Sequence, residues 1–363
     1  MPINFTPDRW KTTKDTYRRW WAGQLDRPLL QVSLGGLKTD RPEPPIPNYG
    51  FHTYYDESVS PEQIVDRWDY SFAQWKFVGD GFPCLFVNFG PGVAAAFMGA
   101  TLTNSEPTVW FHPKTQQEIA DIEFRLDEGG YWWNRLLDIY RAAEKRWGGL
   151  VQLATTDLGG NLDLLATFRP SEKLLLDLYD HPEDVIRLTW QAHETWWRCF
   201  EIINDALSAN PGYSSWTPLF SEEPFYMLQC DFCYMIGPDM FDEFVKPELE
   251  ASCRKLTNAF YHLDGPGQLP HLDSLLEIPE LKGVQWVPGD GHPDITQWPD
   301  VYRKIHKAGK LIQIFSGQSP HGLQAVDIIA DQIGSAKGIA YIGFDSIDNE
   351  DKVTRFLEKY GAA

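Results

Sequence analysis

Two hydrophobic periods share this chain. Short runs rich in β-branched and aromatic residues read as strands, and longer stretches with apolar residues every three to four positions read as helices. Strands are expected at 28–34, 84–89, 150–155, 215–219, 225–231, 259–264, 283–287, 311–315 and 339–344. Helices are expected from Ser60 onward and at 116–126, 130–147, 182–208, 238–257, 297–308, 322–333 and 349–360. The helix at Ser60 is well marked. Ser60 stands as N-cap, Pro61 at the first helical position and Gln63 where a capping box needs it, and Ile64, Val65, Trp68, Phe72 and Trp75 follow as an apolar face. Strands alternating with helices imply parallel pairing through right-handed crossovers. The number of units predicts an α/β protein with a closed (β/α)8 TIM barrel and N-terminal additions, forming one domain over residues 1–363. A Pro-rich loop at about 35–59 (Pro42, Pro44, Pro45, Pro47) is expected to decorate the barrel mouth. No internal repeat or low-complexity segment interrupts this pattern.

The most informative local stretch is Phe260-Tyr261-His262-Leu263-Asp264-Gly265-Pro266-Gly267. Side chains alternate along a strand, so His262 and Asp264 point to one side just before a Gly-Pro-Gly stop. An imidazole beside a carboxylate at that position can hold a metal or move a proton, and parallel barrels build their active sites at the C-terminal strand ends. An Asp that caps the turn beside a half-buried His fits the same pattern. Other polar residues fall near strand ends: Asp157, Glu222, Glu223, Gln229, Asp231, Gln285, Asp290, Gln313 and Asp345. Each alone is more often a cap or a loop acid, and it is their convergence that points to a site. From these, His262, Asp264, Glu222 and Asp231 are the candidate catalytic residues. Asp157, Gln229, Gln285 and Gln313 are candidate substrate ligands, with Trp286 as a pocket wall. His262, Asp264 and Glu222 are the candidate metal ligands, with Glu223 as an alternative.

Composition narrows the partners. The formal net charge is −19, which disfavours nucleic acid and anionic membranes because both need clustered Lys and Arg. It disfavours polyanionic substrates too, although one local basic pocket would escape the global balance. No stretch approaches the roughly 20 apolar residues of a membrane span, and the N-terminus lacks a signal-peptide pattern. Five cysteines in a long chain argue against a disulfide scaffold, and a cytoplasmic location is expected. Cys230-Asp231-Phe232-Cys233 has metal-ligand spacing but no second pair, so buried thiols are the expected reading. Gly289-Asp290-Gly291-His292 lacks a dinucleotide or phosphate-loop pattern and is read as pocket rim.

Several segments together resemble the uroporphyrinogen decarboxylase superfamily. They are Asp26-Arg27-Pro28 at the first strand, Asn88-Phe89-Gly90-Pro91 with Ala95-Ala96-Phe97-Met98-Gly99, Leu175 through Glu183, Ile236 through Pro247 as the closest match, the strand carrying His262, and Gln285-Trp286-Val287-Pro288-Gly289. The resemblance implies a (β/α)8 enzyme, and two subgroups of the superfamily bear on its chemistry. The decarboxylase subgroup carries an arginine loop after its first strand and an Asp on the next segment. Here Val32-Ser33-Leu34-Gly35-Gly36-Leu37-Lys38 has no arginine, and Asn88 or Phe89 stands at the Asp position, so decarboxylation of uroporphyrinogen is not expected. The methyltransferase subgroup binds zinc through His-x-Cys and a later Cys. Here the pair is His262-x-Asp264, and Gly343-Phe344-Asp345 stands near the later Cys position, which favours oxygen-rich coordination or no metal. The resemblance therefore implies methyl or alkyl transfer to or from a small polar molecule. Zinc or another divalent ion is the candidate cofactor, a corrinoid protein the candidate partner, and a homodimer the candidate assembly. A lyase or hydrolase acting on a polyol or sugar, and a non-catalytic ligand-binding barrel, are the alternatives.

Overall fold

The computed structural model describes residues 3–106 and 108–363. Eleven strands form among them: β1 (Leu29–Gly35), β2 (Trp75–Gly79), β3 (Cys84–Phe86), β4 (Thr101–Ser105), β5 (Thr108–His112), β6 (Gln152–Ala154), β7 (Phe225–Gln229), β8 (Asn258–Asp264), β9 (Leu281–Val287), β10 (Leu311–Phe315) and β11 (Ile339–Ser346). One sheet runs in the order β2-β1-β11-β10-β9-β8-β7, parallel throughout except for β2. β3 and β6 make a separate parallel pair, and β4 and β5 an antiparallel hairpin.

Six parallel strands in one ladder and two in another are the strands a (β/α)8 arrangement needs, but no ladder closes them into a cylinder among the described residues. The expected closed barrel is corrected to this extent, and two insertions account for the gaps. β2 pairs antiparallel with the free edge of β1, where β3 would otherwise lie. Between β6 and β7, the segment around 213–221 folds on itself through a Tyr213–Ser221 bridge, and the Thr155 N–H donates to the Ser214 carbonyl at 2.9 Å. The strand expected at 215–219 does not form, and Pro218, which has no N–H to give a ladder, lies in it.

Helix positions follow the sequence with two exceptions. The helices Tyr131–Trp147, Pro182–Ala206, Pro299–Lys307, Gln324–Ile333 and Glu350–Lys359 lie where periodicity puts them, and Pro61–Ala73 starts with the Ser60–Gln63 capping box. The helix expected at 116–126 is only a single 3-10 turn, Ile119–Asp121. Beyond it Ile122 and Phe124 are buried while Glu123 and Arg125 are exposed, the period-two burial of an extended chain. Its carbonyls are satisfied from outside: Arg187 donates to Ile119 and Ile122, each at 3.3 Å. The helix expected at 238–257 splits into Pro238–Phe244 and Lys246–Lys255, because Pro247 cannot continue the ladder.

The N-terminal helix Arg9–Trp21 is an addition that the pattern did not reveal. It buries Tyr17 against Phe82 and Phe220 and stacks Trp20 on Phe260 of β8. Full burial of an aromatic ring is worth about 1.5–3 kcal/mol, so this helix is an integral part of the core.

Candidate functional site

Strand register builds the site. β7 pairs Gln229 with His262, β8 pairs His262 with Gln285, and β9 pairs Gln285 with Gln313. Paired residues of parallel strands project to the same face, so these four side chains form one polar row across four strands. They are also bonded along it. His262 Nδ1 hydrogen-bonds Gln285 Oε1, and Gln285 Nε2 donates to Gln313 Oε1 at 2.6 Å. The Thr217 hydroxyl donates to the same Gln313 oxygen at 3.4 Å, and Gln229 Nε2 donates to Asp157 Oδ1 at 3.1 Å. A buried row of this kind is stable only if its members satisfy one another.

The Gln285 oxygen fixes the histidine tautomer. With Nδ1–H donating to it, Nε2 is turned toward carboxylates. His262 Nε2 lies 3.8 Å from Asp264 Oδ2, and one ligand atom each of Asp231, His262 and Asp264 lie within 4.8 Å of one another. Burial lowers the His262 pKa, but Asp264, Asp231 and Gln285 together outweigh it and leave the pKa raised. Burial raises the pKa of Asp231 and Asp264 adds to it, against the opposing pull of His262. The Trp216 ring meets the His262 ring edge-on at 5.0 Å.

Two further carboxyls stand behind this group. Burial lifts Asp157 to about 6, against the Gly159 N–H that donates to it at 2.9 Å. Burial, with Asp231 next, lifts Asp163 to about 7. Asp163 accepts from the Asp231 and Phe232 N–H groups at 3.0 and 2.8 Å and so pins the turn that carries Asp231. The approach of this segment to β7 requires glycine, since a Cβ on Gly160 would lie 2.2 Å from the Gln229 carbonyl oxygen. A cleft of about 430 Å³ opens beside the cluster, lined by Asp163, Gln229, Asp231, Trp110, Phe232 and Met235 among others; among the described residues no Lys or Arg lines it.

The structure brings together His262, Asp264, Asp231, Asp157, Gln229, Gln285 and Gln313. It does not bring Glu222 or Glu223 to them. Both precede β7, whereas the site lies past its other end, and Glu222 is engaged by Lys14 at 3.7 Å and Arg18 at 3.4 Å. Trp286 is not a pocket wall either. It neighbours Gln285 on β9, so it faces the opposite side, where it is fully buried against Trp298 at 5.1 Å. Cys230 and Cys233 are buried, and burial pushes the Cys230 thiol up, so they offer no ready ligand. Asp163, Trp216 and Thr217 are additions to the expected set. Asp163 would read as an ordinary first-turn acid of the helix Asn161–Phe168, and nothing local marks the two residues of the irregular segment.

The donor set fits a divalent cation. Ligands at about 2.0–2.2 Å from an ion sit roughly 3–4.2 Å from one another, which small side-chain movements would achieve here. One imidazole and two carboxylates suit Zn or Mn, whereas a Cys-rich set would select Zn alone. In place of Glu222, Asp231 is the third residue whose donor atom comes near those of His262 and Asp264. No helix among the described residues is long and apolar enough to cross a membrane. No family model matches this chain, and no curated protein does. Among solved structures it is similar to a methyltransferase from Methanosarcina mazei, at 12% identity and a TM-score of 0.54, over 84% of this chain and 87% of that one, which is a likeness of fold.

Proposed function

We propose that this protein is a group-transfer enzyme of the uroporphyrinogen decarboxylase superfamily acting on a small polar substrate, with methyl transfer as the leading case. A divalent ion is held by His262, Asp264 and Asp231. The observation that carries this reading is the convergence of those three donors, with Nδ1 of His262 tied to Gln285 and Nε2 left facing the carboxylates. When bound, such an ion supplies the Lewis acidity that turns a hydroxyl, thiol or water into a nucleophile near neutral pH. The chain's own residues do the rest. Gln285 and Gln313 lock the imidazole in place, as outer partners of metal-bound histidines do. Gln229 and Asp157 present an amide and a carboxyl at the site's edge, and Asp157, lifted to about 6, can exchange a proton with substrate near neutrality. The fold likeness to a methyltransferase supports the reading at a coarse level. On the resemblance, a methylated corrinoid protein is the proposed donor. A cleft without Lys or Arg suits neither uroporphyrinogen nor any other polycarboxylate.

A second reading is acid/base lyase or hydrolase chemistry on a polyol or sugar. It draws on the two lifted carboxyls, Asp157 at about 6 and Asp163 at about 7, and on Trp216 against His262. Metal analysis of native protein, beside turnover assays with methyl donors and with polyols, decides between them. Stoichiometric metal that is lost in Asp264→Ala, with methyl turnover lost in parallel, is the expected result. Polyol turnover in metal-free protein would replace the first reading with the second. A tight small-molecule ligand without turnover of any kind would leave a binding barrel.

A further inference from the structure

A second cavity lies away from His262, between the helices Gln324–Ile333 and Glu350–Lys359, where the chain leaves β10 and β11. It measures about 540 Å³, and its lining includes Lys352, Arg355 and Lys359 along one helix, with Ser316, Tyr341 and Asp345 opposite. The cavity lined by Arg9, Arg27 and Lys76 also holds Asp80 and Glu350, which ion-pair Arg27 and Lys76, whereas here three cations meet one acid.

The pairing pattern sharpens the observation. Among the described residues, every arginine other than Arg19 and Arg355 hydrogen-bonds or ion-pairs with a carboxylate or a backbone carbonyl. Arg355 does neither, although acids outnumber bases 51 to 32 in the sequence and an exposed partner is easily found. Lys352, one helical turn before it, is also unpaired, while Lys359 is engaged by Asp327 at 2.7 Å. Residues three apart on a helix share a face, so Lys352 and Arg355 present their charges to the same space. The lone acid in the lining, Asp345, is already occupied by the Ser346 N–H and the Asn349 amide, each at 2.7 Å.

The floor carries a polar group. Tyr341 is only 3% exposed, yet it lines the cavity together with Ser316. Gly343 makes room for it: a Cβ there would lie 2.4 Å from the tyrosine ring and 2.9 Å from its oxygen. Any larger residue two positions along β11 would displace the hydroxyl from this floor.

We infer that this cavity binds a phosphate-type oxyanion, held by Arg355 and Lys352 over the Tyr341 hydroxyl. A planar guanidinium and an ammonium on one face, with a hydroxyl donor below, match a phosphoryl group's several acceptor oxygens. The volume exceeds that of a phosphate ion, so a phosphomonoester enters with part of its carrier. The inference is independent of the His262 site and of the reaction proposed there.

The test is direct binding of inorganic phosphate and of phenyl phosphate to the full chain, read by phosphorus NMR and calorimetry. Saturable binding is expected, weakened about tenfold or more in Arg355→Ala and in Lys352→Ala and unchanged in Arg19→Ala, the other unpaired arginine. All three positions are exposed, so folding is retained and checked by circular dichroism. Phenyl phosphate binding more tightly than phosphate supports the monoester. No saturable binding to the unaltered chain, unchanged binding in Arg355→Ala, or an equal loss in Arg19→Ala would overturn the inference.

Discussion

Two buried imidazoles in this molecule behave in opposite ways. His52 lies in the Pro-rich decorating loop, 1% exposed, and burial, with Arg135 adding to it, drives its pKa down from 6.5 to about 4 against an opposing backbone contact at Asn88. N–H groups face it: Trp68 Nε1 donates to its Nε2 at 2.8 Å, and the Asn88 N–H approaches its Nδ1 at 3.1 Å. Burial lowers the His262 pKa too, yet it ends raised, because Asp264, Asp231 and Gln285 surround it with acceptors. Burial alone does not say what a histidine is for. His52 is a neutral clamp that closes the loop onto Trp68, and His262 is held where a proton or a cation is welcome.

The largest expected break in this contrast comes from Asp264→Ala. Removing a carboxylate from the three-donor set should lower metal affinity by well over about 100-fold and abolish turnover, with the helical content unchanged. Full metal occupancy in that variant, measured by elemental analysis, would place the metal elsewhere.

Next in size is the pH dependence set by His52. Above pH 6.5 its ring is neutral in both the folded and unfolded chain. As pH falls from 6.5 toward about 4, the unfolded chain takes a proton that the folded one refuses, so stability declines and then levels off. The full difference corresponds to about 3 kcal/mol. Denaturant unfolding of wild type and His52→Gln across that range should show a smaller decline in the variant, and equal slopes would contradict the clamp. His262 runs the other way, its contribution being complete below 6.5 and lost as pH rises through its raised folded pKa. NMR titration of metal-free protein should therefore find His52 below and His262 above the ordinary histidine value, and Asp264→Asn should bring His262 down.

A smaller effect is expected from Gln285→Leu. It leaves His262 and its carboxylates in place but frees Nδ1, and metal affinity should fall by about tenfold. An unchanged affinity would mean that the polar row does not orient the ring. The smallest effect belongs to Glu222→Gln. Its ion pairs with Lys14 and Arg18 are partly exposed, so stability should change by less than about 1 kcal/mol and turnover not at all. A large loss of turnover would return Glu222 to the site.

The sequence alone marked the eight segments that become parallel strands, though not that 215–219 stays irregular, and with them the face on which His262, Asp264 and Gln285 lie. Period-two alternation is a local property that survives folding, and it also held the answer for Trp286, whose neighbour Gln285 points inward. Local pattern could not decide which acid completes the group. Glu222 and Asp231 flank the same strand, and only strand direction and the Asp163 hold on the 231 turn separate a surface ion pair from a member of the His262 cluster. It could not decide whether the ring of strands closes, because β2 and the 213–221 segment occupy the edges through contacts between residues distant in the chain. Nor could it set the opposite pKa shifts of the two histidines. A pKa is fixed by whatever the whole fold packs around the ring, and for His52 and His262 those neighbours come from different elements of the chain.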